Sequence, residues 1–181
     1  SRNAFGEVAV YPAVEMVFHP EANLVEYLFS PAQIEKEIAQ QAEAIACKVI
    51  TSLNMIGLLA VEMFVTKEGE VLVNEVAPRP HNSGHQTIEG NVTSQYEQHL
   101  RAILNLPMGS TALLAPSAMV DLLGEEGFTG SARYEGLEEV LKAEGVYVHL
   151  YGKKTTKPFR KMGHVTIVDK DLNSLKKKAN F

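Results

Sequence analysis

The chain has 181 residues, of which 45% are hydrophobic and 22% are charged, so its composition is that of a globular protein and excludes a disordered chain. No stretch approaches about 18 consecutive apolar residues, and the sequence therefore predicts no membrane-spanning helix. Cys47 is the single cysteine, which excludes an internal disulfide and favours a cytoplasmic location.

The charge is distributed unevenly along the chain. Residues 1–140 contain 7 Lys and Arg against 19 Asp and Glu, whereas residues 141–181 contain 10 against 3. A basic segment of this kind can indicate nucleic-acid binding. Because these basic residues lie in a strand-and-turn pattern with few aromatic residues among them, the phosphate of a small molecule matches better. We therefore expect neither a nucleic-acid nor a membrane partner.

The N-terminal part of the chain is predicted to begin with strands. They cover residues 7–11, 14–18 and 24–28, with a turn at 19–23. Ser30 followed by Pro31 is typical of a helix start, with serine at the N-cap and proline in the first turn. Apolar residues then recur near the helical period as far as Leu53, which predicts a long helix.

A β-hairpin and a second helix are predicted next. The hairpin pairs residues 57–65 with 71–76 around a turn at 67–70. An irregular polar loop with two prolines follows at 77–84. The second helix is predicted from Ser94 to Asn105, because Ser94 and Glu97 form a capping box at its start and a proline follows its end.

A predicted domain boundary lies at residues 106–110, where proline, glycine and serine occur together. Beyond it the sequence predicts strands at 118–123, 146–151 and 164–168, and helices at 137–143 and 172–179. We therefore expect an α+β fold with two domains, residues 1–107 and a small β-rich domain of residues 108–181. We also expect the chain to be part of a longer protein.

Two glutamates of the hairpin suggest a metal site. With a two- or four-residue turn, Glu62 stands directly opposite Glu75, with Cβ atoms about 5 Å apart. Like charges so placed repel, and a divalent cation such as Mg²⁺ would remove that repulsion. Phe64 and Val73 would make this face partly dry, and Asn74 points to the other face unless the strand is bulged. Two alternatives stay open, namely carboxylates that splay into water and a three-residue turn that breaks the register.

The loop after Glu75 collects hydrogen-bond donors. Its prolines favour extended backbone, and Gly84 permits a sharp turn or a close backbone approach. Its donors suit an oxyanion such as bicarbonate, carboxylate or phosphate. They are Arg79, His81, Asn82, Ser83 and His85. A hydrogen-bonded surface loop is an open alternative. Zinc binding by the two histidines is less favoured, because the prolines disfavour the helix that would align them.

These motifs resemble the C-terminal part of an ATP-grasp domain. The most specific string is Asn74-Glu75-x-Ala77-Pro78-Arg79-x-His81-Asn82-Ser83-Gly84-His85. Residues 61–65, 93–103, 149–153 and 160–164 continue the similarity. Among ATP-grasp enzymes, the chain is similar to the 5-(carboxyamino)imidazole ribonucleotide synthases. The similarity extends over essentially the whole chain, which would form roughly the C-terminal half of such an enzyme.

The resemblance implies a fold and a set of metal and nucleotide ligands. The fold would be the C-terminal lobe of an ATP-grasp domain, an antiparallel sheet with helices on one face, followed by the small β-rich domain. Glu62 and Glu75 would bind Mg²⁺, with two ions in the site and Asn74 assisting at the second. Asn74 and Glu75 would also contact ATP.

The resemblance further implies catalytic and substrate-binding residues. Four loop residues would be catalytic and would line the pocket for bicarbonate and for the carboxyphosphate made from it, namely Arg79, His81, Asn82 and Ser83. Lys153 and Arg160 would bind the 5′-phosphate of 5-aminoimidazole ribonucleotide, which agrees with the basic character of that segment.

The implied activity is ATP-dependent carboxylation of 5-aminoimidazole ribonucleotide with bicarbonate, a step of de novo purine biosynthesis. The full-length enzyme would be a homodimer, and this chain alone would be inactive. Two other functions stay open. One is that of a different ATP-grasp carboxylase, ligase or formyltransferase of purine biosynthesis, and the other is a non-enzymatic dimerisation module.

Overall fold

The structure is a computed structural model that describes residues 1–18, 25–171, 174, 175 and 178. The chain divides into two compact units. The first is formed by Ser1–Glu15 and Ser30–Leu114, and the second by Met16–Phe29 and Ala115–Phe181. Within the described ranges, no helix combines the length and the apolar character needed to cross a bilayer. The turn predicted at 19–23 and most of the helix predicted at 172–179 lie outside the described residues.

The described residues form strands, short helices and two longer helices. In chain order these are β1 (Glu15–Phe18), β2 (Val25–Ser30), α1 (Lys36–Ser52), β3 (Ala60–Val65), β4 (Val71–Ala77), a 3₁₀ turn (Asn82–Gly84), α2 (Thr87–Gly90), α3 (Gln95–Ile103), β5 (Ser117–Leu123), β6 (Gly130–Ser131), α4 (Leu137–Val140), β7 (Val146–Leu150), β8 (Thr155–Thr156) and β9 (Lys161–Val168). The mixture of antiparallel sheet and helices confirms the α+β class.

The first unit contains the antiparallel hairpin of β3 and β4, and α1 packs against β4. The predicted long helix is present, but its predicted start at Ser30 is wrong. Ser30 ends β2, and α1 begins at Lys36 with Glu35 at its N-cap. The predicted strand at 7–11 is also wrong, because its only ladder contact is an isolated bridge between Arg2 and Val8.

Short helices follow the hairpin in the first unit. The loop predicted to be irregular contains the 3₁₀ turn, and α2 comes directly after it. The predicted second helix is confirmed as α3, with Ser94 at its N-cap accepting a hydrogen bond from the backbone N–H of Glu97. This cap fixes the start of α3 and therefore which of its side chains face the loop.

The second unit is built on a five-stranded sheet in the order β1-β2-β5-β9-β7. β9 lies between β5 and β7 and pairs antiparallel with both. Its core is formed by buried apolar side chains from four of the strands and the C-terminal segment, namely Phe29, Ala118, Val146, Ile167 and Leu175. Burial of these side chains is the main favourable contribution to the stability of such a unit.

The division into units differs from the expected domains 1–107 and 108–181. The boundary follows Leu114 rather than residue 107, and Met16–Phe29 belongs to the second unit. Strand pairing explains the difference, because β2 lies next to β5 in the five-stranded sheet. Local sequence patterns do not show that β2 pairs with a strand about ninety residues further along the chain. The largest sheet therefore lies in the second unit.

Candidate active site

The hairpin of the first unit places its two glutamates face to face. Glu62 pairs with Glu75, as predicted, and Met63 pairs with Val73. Asn74 is therefore an extra residue on β4, which makes a β-bulge at this point. The sequence left open whether this strand is bulged at Asn74, and the structure shows that it is.

The turn of the hairpin explains why a bulge is present. The backbone N–H of Thr66 donates to the carbonyl of Glu70, and the N–H of Gly69 donates to the carbonyl of Thr66. Gly69 has a φ of +83°, which suits glycine. The predicted two- or four-residue turn is wrong, because this is a three-residue turn that shifts the register by one. The bulge at Asn74 compensates for that shift and restores the opposition of the glutamates.

An imidazole lies beside the two carboxylates. Nε2 of His81 lies 3.7 Å from Oε1 of Glu62, and these side chains are 15% and 20% exposed. One ligand atom from each of Glu62, Glu75 and His81 lies within 4.8 Å of the other two. Two carboxylates and an imidazole are ligands that divalent cations accept, so these residues fit a metal ion. His81 joins the two predicted glutamates in this set, and the role predicted for Asn74 stays a prediction.

The face around the glutamates is more exposed than the sequence predicted. Phe64 is 56% exposed and Val73 is 44% exposed, so the expected partly dry environment is wrong. The bulge also changes the pairing, because Phe64 faces Leu72 instead of Val73. Glu62 and His81 are better shielded from water, at 20% and 15% exposed.

The loop residues predicted to be catalytic divide into two groups. His81 and Ser83 lie together, with Nδ1 of His81 2.9 Å from Oγ of Ser83, next to Glu62. Asn82 begins the 3₁₀ turn, and its carbonyl accepts from the N–H of His85 at 3.1 Å. Arg79 is exposed, and its Nη1 donates to the carbonyl of Pro80 at 3.1 Å. His81 and Ser83 therefore form the group next to the carboxylates, whereas the contacts described for Asn82 and Arg79 are with the backbone of the loop itself.

A buried glutamine holds this loop, and sequence reasoning assigned it no role. Gln95 of α3 is 3% exposed, and its side-chain amide bonds both the N–H and the carbonyl of His81. The sequence does carry a signal for it. Gln95, Gln98 and Ala102 recur at helical spacing on the buried side of α3, and glutamine at such positions needs hydrogen-bond partners.

Lys153 and Arg160 belong to the second unit. The ammonium of Lys153 donates to the carbonyl of Lys161 and lies 5.5 Å from the centre of the Tyr151 ring. Nη1 of Arg160 donates to the carbonyl of Thr155 at 3.0 Å. Both cations are held on the connection between β7 and β9, and both side chains are partly exposed.

Comparison with protein families identifies the first unit. Residues 1–96, more than half of the chain, match the model of the ATP-grasp domain. The chain belongs to the ATP-grasp family. Residues 117–178 match the model of the phosphoribosylaminoimidazole carboxylase C-terminal domain. The two matches lie on either side of the boundary at Leu114, and they confirm the resemblance found in the sequence.

Individual relatives agree with this family. The chain is 47% identical over 167 residues to N5-carboxyaminoimidazole ribonucleotide synthase of Bacillus subtilis, which covers 92% of the chain and 42% of that protein. It is similar to the crystal structure of N5-carboxyaminoimidazole ribonucleotide synthetase from Thermotoga maritima, with a TM-score of 0.93 and 53% identity over 99% of the chain and 48% of that structure.

A third relative was solved with ligands. The synthase from Aspergillus clavatus, crystallised with ADP and 5-aminoimidazole ribonucleotide, has a TM-score of 0.84 and 34% identity over 92% of the chain and 44% of that structure. This ATP-grasp chain therefore spans less than half of the length of these relatives.

Proposed function

We propose that this ATP-grasp chain supplies the metal-binding hairpin and the anion-binding loop of an enzyme that carboxylates 5-aminoimidazole ribonucleotide. The reaction would use ATP and bicarbonate and would yield 5-(carboxyamino)imidazole ribonucleotide, ADP and phosphate. The observation that carries the proposal is the convergence of Glu62, Glu75 and His81 within 4.8 Å of one another. The names of the relatives and the ligands of the Aspergillus clavatus structure support the choice of substrates.

The carboxylates of Glu62 and Glu75 would hold Mg²⁺, with Asn74 and Glu75 next to the phosphates of ATP. The cation held by these residues would offset the negative charge that develops during phosphoryl transfer. The opposed carboxylates repel each other in its absence, so the hairpin is prepared for a positive partner. Two ions fit this proposal, since Mg²⁺ uses few protein ligands and keeps water or phosphate oxygens as the rest.

The loop would bind the bicarbonate and the carboxyphosphate. Arg79 offers a bidentate donor to an oxyanion, and Asn82 and Ser83 offer neutral donors. His81 lies between the carboxylates and Ser83, so it would connect the metal region to the anion. Because bicarbonate is a weak nucleophile, positioning and preorganised donors must contribute much of the rate.

The proposed reaction has two steps. An oxygen of bicarbonate forms a bond to the γ-phosphorus of ATP, the bond between that phosphorus and the β–γ bridging oxygen breaks, and ADP leaves. The exocyclic amine of the ribonucleotide then attacks the carboxyl carbon of carboxyphosphate, and phosphate leaves as the amine loses a proton. Donors of the loop would hold the labile intermediate and exclude water from it.

Lys153 and Arg160 would bind the 5′-phosphate of the ribonucleotide. Both are cations of the basic C-terminal segment, and both are held by backbone carbonyls of one connection. A charge held in place loses less side-chain entropy when it binds phosphate than a mobile one does. We further propose a cytoplasmic homodimer, as expected for a metabolic enzyme with reduced cysteine.

The test is ADP release by the full-length protein. We expect release to require bicarbonate and 5-aminoimidazole ribonucleotide together, and Glu75→Gln to abolish it. Glu68→Gln is the matched control, because Glu68 is an exposed glutamate in the turn of the same hairpin. Wild-type release that does not respond to the ribonucleotide would reject the proposed substrate. Full activity of Glu75→Gln would reject the proposed metal site.

A further inference from the structure

The side-chain amide of Gln95 pairs with the backbone of His81 as a neighbouring strand would. Oε1 of Gln95 accepts from the N–H of His81 at 2.9 Å, and Nε2 donates to the carbonyl of His81 at 2.8 Å. A peptide N–H can only donate and a carbonyl can only accept, so these two bonds fix which end of the amide is oxygen and which is nitrogen. The orientation of this amide is therefore determined by its partners.

The same amide nitrogen also determines the tautomer of His85. Nε2 of Gln95 lies 2.9 Å from Nδ1 of His85, and an amide nitrogen is only a donor. Nδ1 must therefore accept, and the ring proton of neutral His85 lies on Nε2. His85 then presents an N–H donor from its Nε2 position.

Tyr96 acts on the same ring nitrogen. Its hydroxyl oxygen lies 2.8 Å from Nδ1 of His85, and the two rings are stacked with centroids 5.9 Å apart. Burial raises the pKa of the Tyr96 hydroxyl, so the hydroxyl keeps its proton and remains a donor. Two donors thus converge on one acceptor, which reinforces the same tautomer.

The backbone around Gln95 leaves the amide little freedom. A Cβ on Gly84 would lie 2.6 Å from Oε1 of Gln95, so only glycine allows this approach. Oγ1 of Thr87 donates to the carbonyl of Gly84 at 2.6 Å and accepts from the N–H of Gln95 at 2.8 Å. The start of α3 is therefore connected by hydrogen bonds to His81 directly and to Gly84 through Thr87.

We infer that Gln95 is a positioning residue of the active site, which holds the backbone of His81 and fixes the proton of His85 on Nε2. Both imidazoles of the loop would thereby meet the reacting anion in one defined arrangement. This inference rests on the proposed function for its kinetic consequence, whereas its consequence for the His85 ring does not depend on any substrate. Gln95 itself touches neither substrate nor metal in this assignment.

The chain contains a matched control one turn further along α3. Gln98 is 0% exposed, and its amide bonds a backbone residue in the same two-pronged way. Its Nε2 donates to the carbonyl of Gly109 and its Oε1 accepts from the N–H of Gly109, each at 2.8 Å. Gln98 thus makes the same contact at the same depth, but with the segment before β5 instead of the loop.

The experiment compares Gln95→Glu with Gln98→Glu in the full-length protein. A carboxylate cannot donate, so each change replaces the hydrogen bond to a backbone carbonyl with a contact between two acceptors, and Gln95→Glu also removes the donor to Nδ1 of His85. For Gln95→Glu we expect kcat of bicarbonate-dependent ADP release to fall about 10- to 100-fold, as for other residues that orient a functional group. We expect KM for ATP to stay near its wild-type value. Gln98→Glu should lower thermal stability to a similar degree and leave kcat close to wild type.

The second readout is the ¹⁵N NMR signal of the His85 ring, assigned with a His85→Asn variant. In Gln95→Glu a carboxylate faces Nδ1, so the proton should appear on Nδ1, while Gln98→Glu should keep the wild-type pattern. If Gln95→Glu does not fold, Gln95→Met has a similar shape without charge and carries the same kinetic expectation. Equal losses of kcat at both glutamines, or an unchanged His85 signal in Gln95→Glu, would overturn the inference. Wild-type protein without ribonucleotide-dependent activity would instead overturn the proposed function and leave the ring signal to decide the role of Gln95.

Discussion

The two units of the chain differ in what lies next to their carboxylates. In the second unit, the Asp121 side chain is 1% exposed and one of its oxygens lies 2.7 Å from the ammonium of Lys161. In the first unit, Glu62 faces Glu75 across the hairpin, and the nearest basic group described is an imidazole at 3.7 Å from Glu62. The carboxylate of Asp121 therefore has a positively charged partner within the fold, whereas Glu62 and Glu75 place two negative charges together.

The difference separates structural charges from functional ones. A buried carboxylate beside an ammonium is a structural charge, because loss of its partner would leave it uncompensated in the interior and destabilise the fold. Two opposed carboxylates destabilise the hairpin that carries them, and a sequence that keeps both must gain something other than stability. For an ATP-grasp chain, the gain that we propose is a site for the cation that accompanies ATP.

The largest expected effect is at the carboxylate pair. Glu75→Gln should lower ribonucleotide-dependent turnover by about 100-fold or more, because it removes a charge that holds the cation. The same change should leave the free energy of unfolding unchanged or raise it by about 0.2–1 kcal/mol, because the cross-strand repulsion is relieved. Turnover and urea unfolding of the metal-free protein measure the two effects. A large loss of stability would mean that Glu75 is a structural charge like Asp121.

The next largest effect is expected at Lys153 and Arg160, which we propose bind the 5′-phosphate of the ribonucleotide. Lys153→Ala and Arg160→Ala should each raise KM for the ribonucleotide about 10- to 150-fold, the range for a charge-assisted contact to phosphate. KM for ATP should change much less. Lys157→Ala serves as the control, because Lys157 is an exposed lysine of the same connection. Equal effects on both substrates would make these residues structural.

The ion pair of the second unit should respond in stability rather than in activity. Lys161→Met leaves the Asp121 carboxylate without its ammonium, and we expect a loss of about 1–3 kcal/mol. The loss stays below that of a fully buried pair because the Lys161 side chain is 37% exposed. Lys142→Met is the control, since its pair with Glu139 is exposed and should be worth less than about 0.5 kcal/mol. Thermal unfolding distinguishes them, and equal losses would contradict the structural role of the pair.

The smallest effect is expected at Asp169, a carboxylate of the second unit whose contribution to stability depends on pH. Hydrogen bonds from Lys178, the Asp171 N–H and Ser174 hold its pKa well below the ordinary value. A carboxylate with a lowered pKa stabilises the fold above the unfolded-state pKa of about 3.9, and this contribution is lost as the pH falls through the folded-state value. The Tm difference between wild type and Asp169→Asn should therefore be constant near neutral pH and shrink below about pH 4. A difference that does not depend on pH would contradict this.

The sequence was sufficient for features that depend on local patterns. The period of α1, the cap of α3 at Ser94 and the opposition of Glu62 and Glu75 all follow from residues close together in the chain. The start of α1 was mispredicted because Ser30 and Pro31 resemble a helix cap, while pairing within the five-stranded sheet keeps Ser30 in β2. Tertiary contacts overruled a local preference there.

The sequence missed two kinds of feature in the site, the local geometry of the hairpin turn and the contacts between residues far apart in the chain. The three-residue turn and the bulge at Asn74 offset each other, so the register of the glutamates was right although the expected turn was wrong. His81 joins the carboxylates only because the loop folds back onto Glu62. Gln95 reaches His81 across 14 residues of chain, and no periodicity in the sequence indicates that contact.

The cation site is tested most directly by the effect of Mg²⁺ on the unfolding temperature of the full-length protein in the presence of ADP. A ligand that binds the folded state raises Tm by an amount that grows with the ratio of its concentration to its Kd, so the additional rise caused by Mg²⁺ over ADP alone reports the cation. We predict this rise in the wild type and in Glu68→Gln, and its absence in the double variant Glu62→Gln/Glu75→Gln. An equal rise in the double variant would show that the opposed glutamates do not bind the metal.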